Sequence, residues 1–213
     1  MPFVDQFFKS LIMKKTSFII TLLAGFFVSA QGSKTPLKFG IKGGGNYSTI
    51  TGEDKERNLS GKLGFYGGLL ANYTVNKNIH LQGEVLYQNA GAKIENKKDP
   101  SLTGKWQLDY ISVPIMFQFY VLPKMFLETG PEINININSA QINDSPQYPK
   151  VDFKEYTKPV MFSWGVGAGY KLNQNIGVNL RYSLGINSPY KSKETNADDF
   201  RYGNLQLGLF YMF

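Results

Sequence analysis

A chain of 213 residues suits one domain, and 22 glycines, 13 tyrosines and 16 phenylalanines against only 18% charged residues point to β structure rather than a helical bundle. The formal net charge of +7 is modest and spread along the chain, unlike a nucleic-acid footprint. With no cysteine, disulfides, thiolate metal sites and a cysteine nucleophile are all excluded.

The chain opens with the marks of export. Met13-Lys14-Lys15 precedes an apolar run over 18–28, and Val28-Ser29-Ala30-Gln31 follows with small residues before a cut. A basic end, a short apolar core and such a junction describe a secretory signal peptide, cleaved after Ala30. The run is about half of the ~20 residues a spanning helix needs. Translation is expected to begin at Met13. The expected organisation is a signal peptide over 1–30, a short segment over 31–37 and one domain over 38–213.

From there the apolar residues recur at every second position, which is the period of a strand. The first strand, over 38–49, sets Phe39, Ile41, Gly43, Gly45 and Tyr47 against Lys42, Gly44, Asn46 and Ser48. Its glycine run lacks the Lys-Ser/Thr ending of a phosphate-binding loop and fits a sharply bent small barrel instead. A polar loop over 51–60 leads to a second strand with Leu63, Phe65, Leu69, Ala71, Tyr73 and Val75 on one face. The turn Asn76-Lys77-Asn78 feeds a third strand, where Ile79, Leu81, Val85 and Tyr87 oppose His80, Gln82, Glu84, Leu86 and Gln88. After a charged loop over 95–105, the fourth strand sets Ile111, Val113, Ile115, Phe117, Phe119 and Val121 against Tyr110, Ser112, Pro114, Met116, Gln118 and Tyr120. Pro114 cannot donate to a ladder, so a bulge or a missing bond is expected there.

Leu122-Pro123-Lys124 turns the chain into a fifth strand, with Leu127, Thr129, Ile133, Ile135 and Ile137 opposite Phe126, Glu128, Glu132, Asn134 and Asn136. The longest loop, over 139–157, precedes the clearest hairpin. There Phe162, Trp164, Val166, Ala168 and Tyr170 alternate with glycines and Lys171, and, beyond Asn173-Gln174-Asn175, Ile176, Val178, Leu180, Tyr182 and Leu184 alternate with Asn179, Arg181 and Ser183. A last loop over 188–202 leads to the eighth strand, where Leu205, Leu207, Leu209, Tyr211 and Phe213 share a face. Long and short connections alternate throughout. The pattern is an all-β, eight-stranded antiparallel up-and-down barrel with long loops at one end and tight turns at the other.

Alternation alone does not separate a membrane barrel from a lipocalin-like soluble one. The apolar face runs about ten residues per strand, enough to cross a ~25 Å apolar band, whereas a soluble barrel would carry charge outside. Aromatics also form two levels: Phe39, Tyr73, Phe119, Tyr170, Tyr211 and Phe213 near the turns, and Tyr47, Phe65, Tyr87, Phe162 and Tyr182 towards the loops. The expected location is a bacterial outer membrane, in contact with its lipid and lipopolysaccharide.

Several segments sharpen this. Leu81-Gln82-Gly83-Glu84-Val85-Leu86-Tyr87-Gln88-Asn89-Ala90-Gly91, Tyr110-Ile111-Ser112-Val113-Pro114-Ile115 and Gly130-Pro131-Glu132 together resemble the PorT-type outer-membrane β-barrel family of Bacteroidota. The Ala30-Gln31 junction is similar to cleavage sites in that phylum, and Ser112 stands where family members often carry Glu. The aromatic ending, with Tyr211 and Phe213, resembles the carboxy-terminal signal read by the outer-membrane assembly machinery. The resemblance implies fold and location more firmly than a role; one namesake serves a type IX secretion and gliding apparatus.

By parity Lys42, Glu84, Glu128, Glu132, Lys171 and Arg181 point into the barrel, where carboxylates need cationic partners, so a structural charge network is expected. His80, the one histidine, has no Gly-x-Ser-x-Gly element or Ser-x-His pairing beside it and reads as an interior or rim residue. No catalytic, metal or cofactor site is expected. Lys97, Lys98, Lys191 and Lys193 in the loops are candidates for lipopolysaccharide phosphates. The leading reading is a non-enzymatic barrel with a filled lumen, acting through its loops or as a structural component. An accessory subunit with envelope-protein partners is the alternative, and a lipid-modifying enzyme comes third. An open pore is disfavoured because eight strands leave little lumen.

Overall fold

The computed structural model describes residues 36–51, 57–96, 103–143, 150–152, 154–190 and 200–213. The signal peptide with its cleavage site, the start at Met13 and Lys97, Lys98, Lys191 and Lys193 lie outside the described residues.

Each predicted strand forms. They are β1 Leu37–Thr51, β2 Arg57–Thr74, β3 Ile79–Asn96, β4 Thr103–Leu122, β5 Met125–Asn143, β7 Val160–Lys171, β8 Ile176–Gly185 and β9 Arg201–Met212, with a three-residue addition, β6 Lys150–Asp152, pairing only with β5. The eight long strands close into an antiparallel ring: β1 pairs with β2 and β9, and β4 with β3 and β5. Closure leaves no long edge unpaired. Two of the tight turns are held by the asparagine that begins them. Asn76 Oδ1 accepts from the backbone N–H of Asn78 and Ile79, and Asn173 Oδ1 from those of Asn175 and Ile176.

The faces follow the parity. Leu63, Phe65, Val85, Phe117, Trp164, Val166, Leu207 and Leu209 are exposed, Leu63 by 77%, while Lys42, Glu84, Gln118, Glu128, Asn134 and Arg181 are buried inside. An apolar exterior around a polar interior inverts the usual globular arrangement. Tyr47, Phe65, Phe162 and Tyr182 towards the loops, and Tyr73, Phe119, Tyr170, Tyr211 and Phe213 near the turns, all face out; Phe39 and Tyr87 are half-buried.

Pro114 resolves to a missing bond without a bulge. The β3–β4 ladder runs from Gly83↔Ile115 to Leu86↔Ser112 in unchanged register, skipping the two pairs at the proline. The register shifts lie elsewhere, between Gly61 and Tyr66 on β2, and beside Asp109/Tyr110 and Tyr120/Leu122 on β4.

β2 to β5 and β9 are longer at the loop end than the alternation predicts, with 139–143, expected as loop, continuing β5 and 201–202 joining β9, whereas β7 and β8 keep about the expected length. Residues 57–60, 89–96 and 103–109, read as loop or left unassigned, continue β2, β3 and β4. In these extensions the pattern reverses. On β4, Ile111, Val113 and Ile115 face out over the lower strand, but above them Lys105, Gln107 and Asp109 share the outward parity, Asp109 buried among its hydrogen-bond partners, while Trp106, Leu108 and Tyr110 are buried inside. On β3 the inward series passes from Glu84 and Gln88 to Ala90, Ala92 and Ile94. On β1 Ile50 succeeds Ser48. The upper wall is thus built like a soluble barrel and the lower wall like a membrane one.

Candidate functional site in the barrel lumen

Three layers fill the lumen. The middle one is charged and centres on Arg181, whose side chain reaches in from β8 with no exposure at all. Its Nη1 and Nη2 donate to the two oxygens of Glu84 at 2.9 and 2.8 Å, the bidentate fork that guanidinium geometry favours. Its Nε donates to Glu128 Oε1 at 2.8 Å, and Nη1 stands 3.8 Å from Glu132 Oε1. Lys42 Nζ, from β1, donates to Glu84 Oε1 at 3.0 Å.

The remaining carboxylate lone pairs find neutral donors. Gln82 serves Glu84, Gln118 serves Glu128, and the hydroxyls of Ser163 and Ser183 serve the two oxygens of Glu132. Such extra hydrogen bonds are what let a buried ion cluster recover its desolvation cost. A glycine makes the room: a Cβ at Gly165 would lie 2.7 Å from Glu132 Oε1.

The network continues towards the turns through amides. Asn72 Nδ2 donates to Gln82 Oε1 and Gln118 Oε1, and Asn72 Oδ1 accepts from His80 Nδ1 at 2.8 Å. Towards the loops it passes from Ser163 to Asn134 and Ser112, whose hydroxyl donates to Asn134 Oδ1 at 2.6 Å. Ser112 therefore makes a neutral contact inside the barrel.

Apolar layers lie above and below. At the loop end Ile50, Ala90, Ala92, Ile94, Trp106, Leu108, Tyr110, Met161, Tyr190 and Tyr202 form one buried cluster, with Trp106 edge-on to Tyr190 at 5.3 Å between ring centroids. At the turn end Leu70, Phe126, Phe210 and Met212 form a smaller one. Gly169 and Gly177 admit the Phe126 and Phe210 rings, each of which a Cβ would meet at 2.2 Å.

Five of the six residues expected in the network, Lys42, Glu84, Glu128, Glu132 and Arg181, therefore meet. Lys171 does not. It lies at the turn end, its Nζ 4.6 Å over the Tyr120 ring, a cation–π contact in place of an ion pair. Tyr211 and Phe213 face outward at the end of the chain. Sequence reasoning missed the neutral donors, although parity already placed Gln82, Gln118, Ser163 and Ser183 on the inward face. It missed the loop-end cluster because the face reversal hides it. Among the described residues no group of three or more histidines, aspartates and glutamates is placed to hold a metal ion.

The structure is similar to outer-membrane barrels already solved. The Neisserial surface protein A crystal structure is 16% identical, covers 82% of this chain and 97% of its own, and superposes with a TM-score of 0.54. The attachment invasion locus protein Ail of Yersinia pestis, solved with the heparin analogue sucrose octasulfate, is 16% identical over 84% of this chain and all of its own, with a TM-score of 0.48. No curated protein sequence matches the chain. At these identities the first likeness speaks for the fold alone. The model of the outer membrane protein beta-barrel domain family matches residues 29–190. The chain belongs to that family.

Proposed function

We propose that the protein is a closed, non-enzymatic outer-membrane barrel of the PorT-type group that works by contact, through the wall and loops it raises on the cell surface. The observation that carries this reading is the filled lumen: among the described residues a charge cluster satisfied by its own side chains lies between two apolar layers. Tight turns face the periplasm and long connections the exterior in such barrels. The reversed upper wall then stands in water, presenting Lys93, Glu95, Thr103 and Lys105 to any partner. Outward polar groups below them are cross-bonded: Asp109 accepts from Asn89, Gln107 and Asn138. A fixed polar surface suits recognition.

The experiment is mild-detergent purification of a tagged copy from the native host, with mass spectrometry of what accompanies it, repeated with Lys93→Glu and Lys105→Glu together. An envelope protein or lipopolysaccharide recovered with the parent and lost with the double variant is the expected outcome. Equal recovery from both would remove the wall as the contact surface.

A further inference from the structure

At the turn end the lumen opens into a cavity of about 60 Å³, bordered by Lys38, Lys171, His80, Asn72, Gln82 and Gln118. Its charge is one-sided. Lys38, Lys171 and His80 border it together, and among the described residues no acidic side chain does. Among the described residues neither lysine is ion-paired; the lumen carboxylates Glu84, Glu128 and Glu132 are engaged deeper inside by Arg181 and Lys42.

The back wall is fixed as well. Asn72 is held by His80, Gln82 and Gln118, and the His80 ring packs on Tyr120 at 4.4 Å between centroids, the same ring over which Lys171 stands. Lys38 is exposed at the rim and Lys171 is half-buried, and an oxyanion seated between the two accepts charge-assisted hydrogen bonds from both. A single water needs only about 10–15 Å³ of such space, so the cavity has room for a small polyatomic anion.

We propose that this pocket is an oxyanion-binding site at the periplasmic mouth of the barrel, holding a phosphate group between Lys38 and Lys171. Two sources carry that chemistry there: a small phosphorylated molecule of the periplasm, or the headgroup of an anionic phospholipid in the adjacent inner leaflet. Binding itself does not depend on the compartment the mouth faces, so its failure would leave the closed-barrel reading intact.

The test uses the full barrel refolded in a neutral maltoside detergent. Inorganic phosphate is titrated calorimetrically, and phosphatidylglycerol retained after delipidation is measured in parallel. Lys38→Gln with Lys171→Gln is compared with Lys150→Gln and Lys154→Gln, two exposed lysines whose replacement removes equal charge from the loop end, and heat-modifiable gel mobility checks that both are folded. Saturable phosphate binding, weakened about tenfold or more by the turn-end pair and unchanged by the loop-end pair, is expected for a free oxyanion. Retention of phosphatidylglycerol lost only in the turn-end pair identifies a headgroup. If neither probe saturates, or both pairs lose binding alike, the site does not exist.

Discussion

Arg181 is shared by three buried carboxylates, and its loss strands all of them. Arg181→Met is expected to cost about 3–5 kcal/mol, read as a lower urea midpoint for the refolded barrel. Lys42→Met should cost less, about 1.5–3 kcal/mol, because the guanidinium fork still serves Glu84. The reverse order would place the weight of the cluster on Lys42. Two glycines make a sharper contrast. Gly91 has φ +137°, and a Cβ there would meet Trp106 O at 1.9 Å, so Gly91→Ala should cost at least about 1–3 kcal/mol. Gly83 has nothing within 4 Å of the Cβ position, and Gly83→Ala should fall within about 0.5 kcal/mol of the parent in the same denaturation series.

At the scale of the element, the telling feature is the reversal along β3 and β4. Eight strands, their facing and the inward charges were legible because a period of two survives wherever one face is uniformly apolar. Over 103–109 the period also survives, as Trp106 and Leu108 alternate with Lys105, Gln107 and Asp109, but its phase is opposite to that of Ile111 and Val113. Read against one lipid-facing phase, such a stretch resembles a polar loop. Lys171 shows a different limit: parity placed it inside, but only three-dimensional height along the barrel separates it from Arg181, and height depends on stagger between strands rather than on any one strand's sequence. Hydrogen exchange tests the extension. Backbone amides from Trp106 to Tyr110 are expected to be protected on the same scale as those of the lipid-facing part of β4; exchange within seconds there would end the strand at the membrane surface.

The whole molecule is closed and lopsided. With charge in the middle and apolar clusters at both ends, reconstitution into planar bilayers is expected to give no stable conductance steps, and large ones would refute the closed lumen. β2 to β5 run 18 to 20 residues, whereas β7, β8 and β9 run 10 to 12. At ~3.3 Å per residue and a tilt near 40°, the short strands climb roughly 25–30 Å and the long ones roughly 45–50 Å. The strands on one side therefore end near the surface of the apolar layer, while those on the other rise about 20 Å beyond it. Seen from above, the sheet has a front and a back: the hydrogen-bonded wall stands tall along β2 to β5 and gives way to connecting chain above β7 to β9, which gives a rotationally featureless cylinder a preferred bearing.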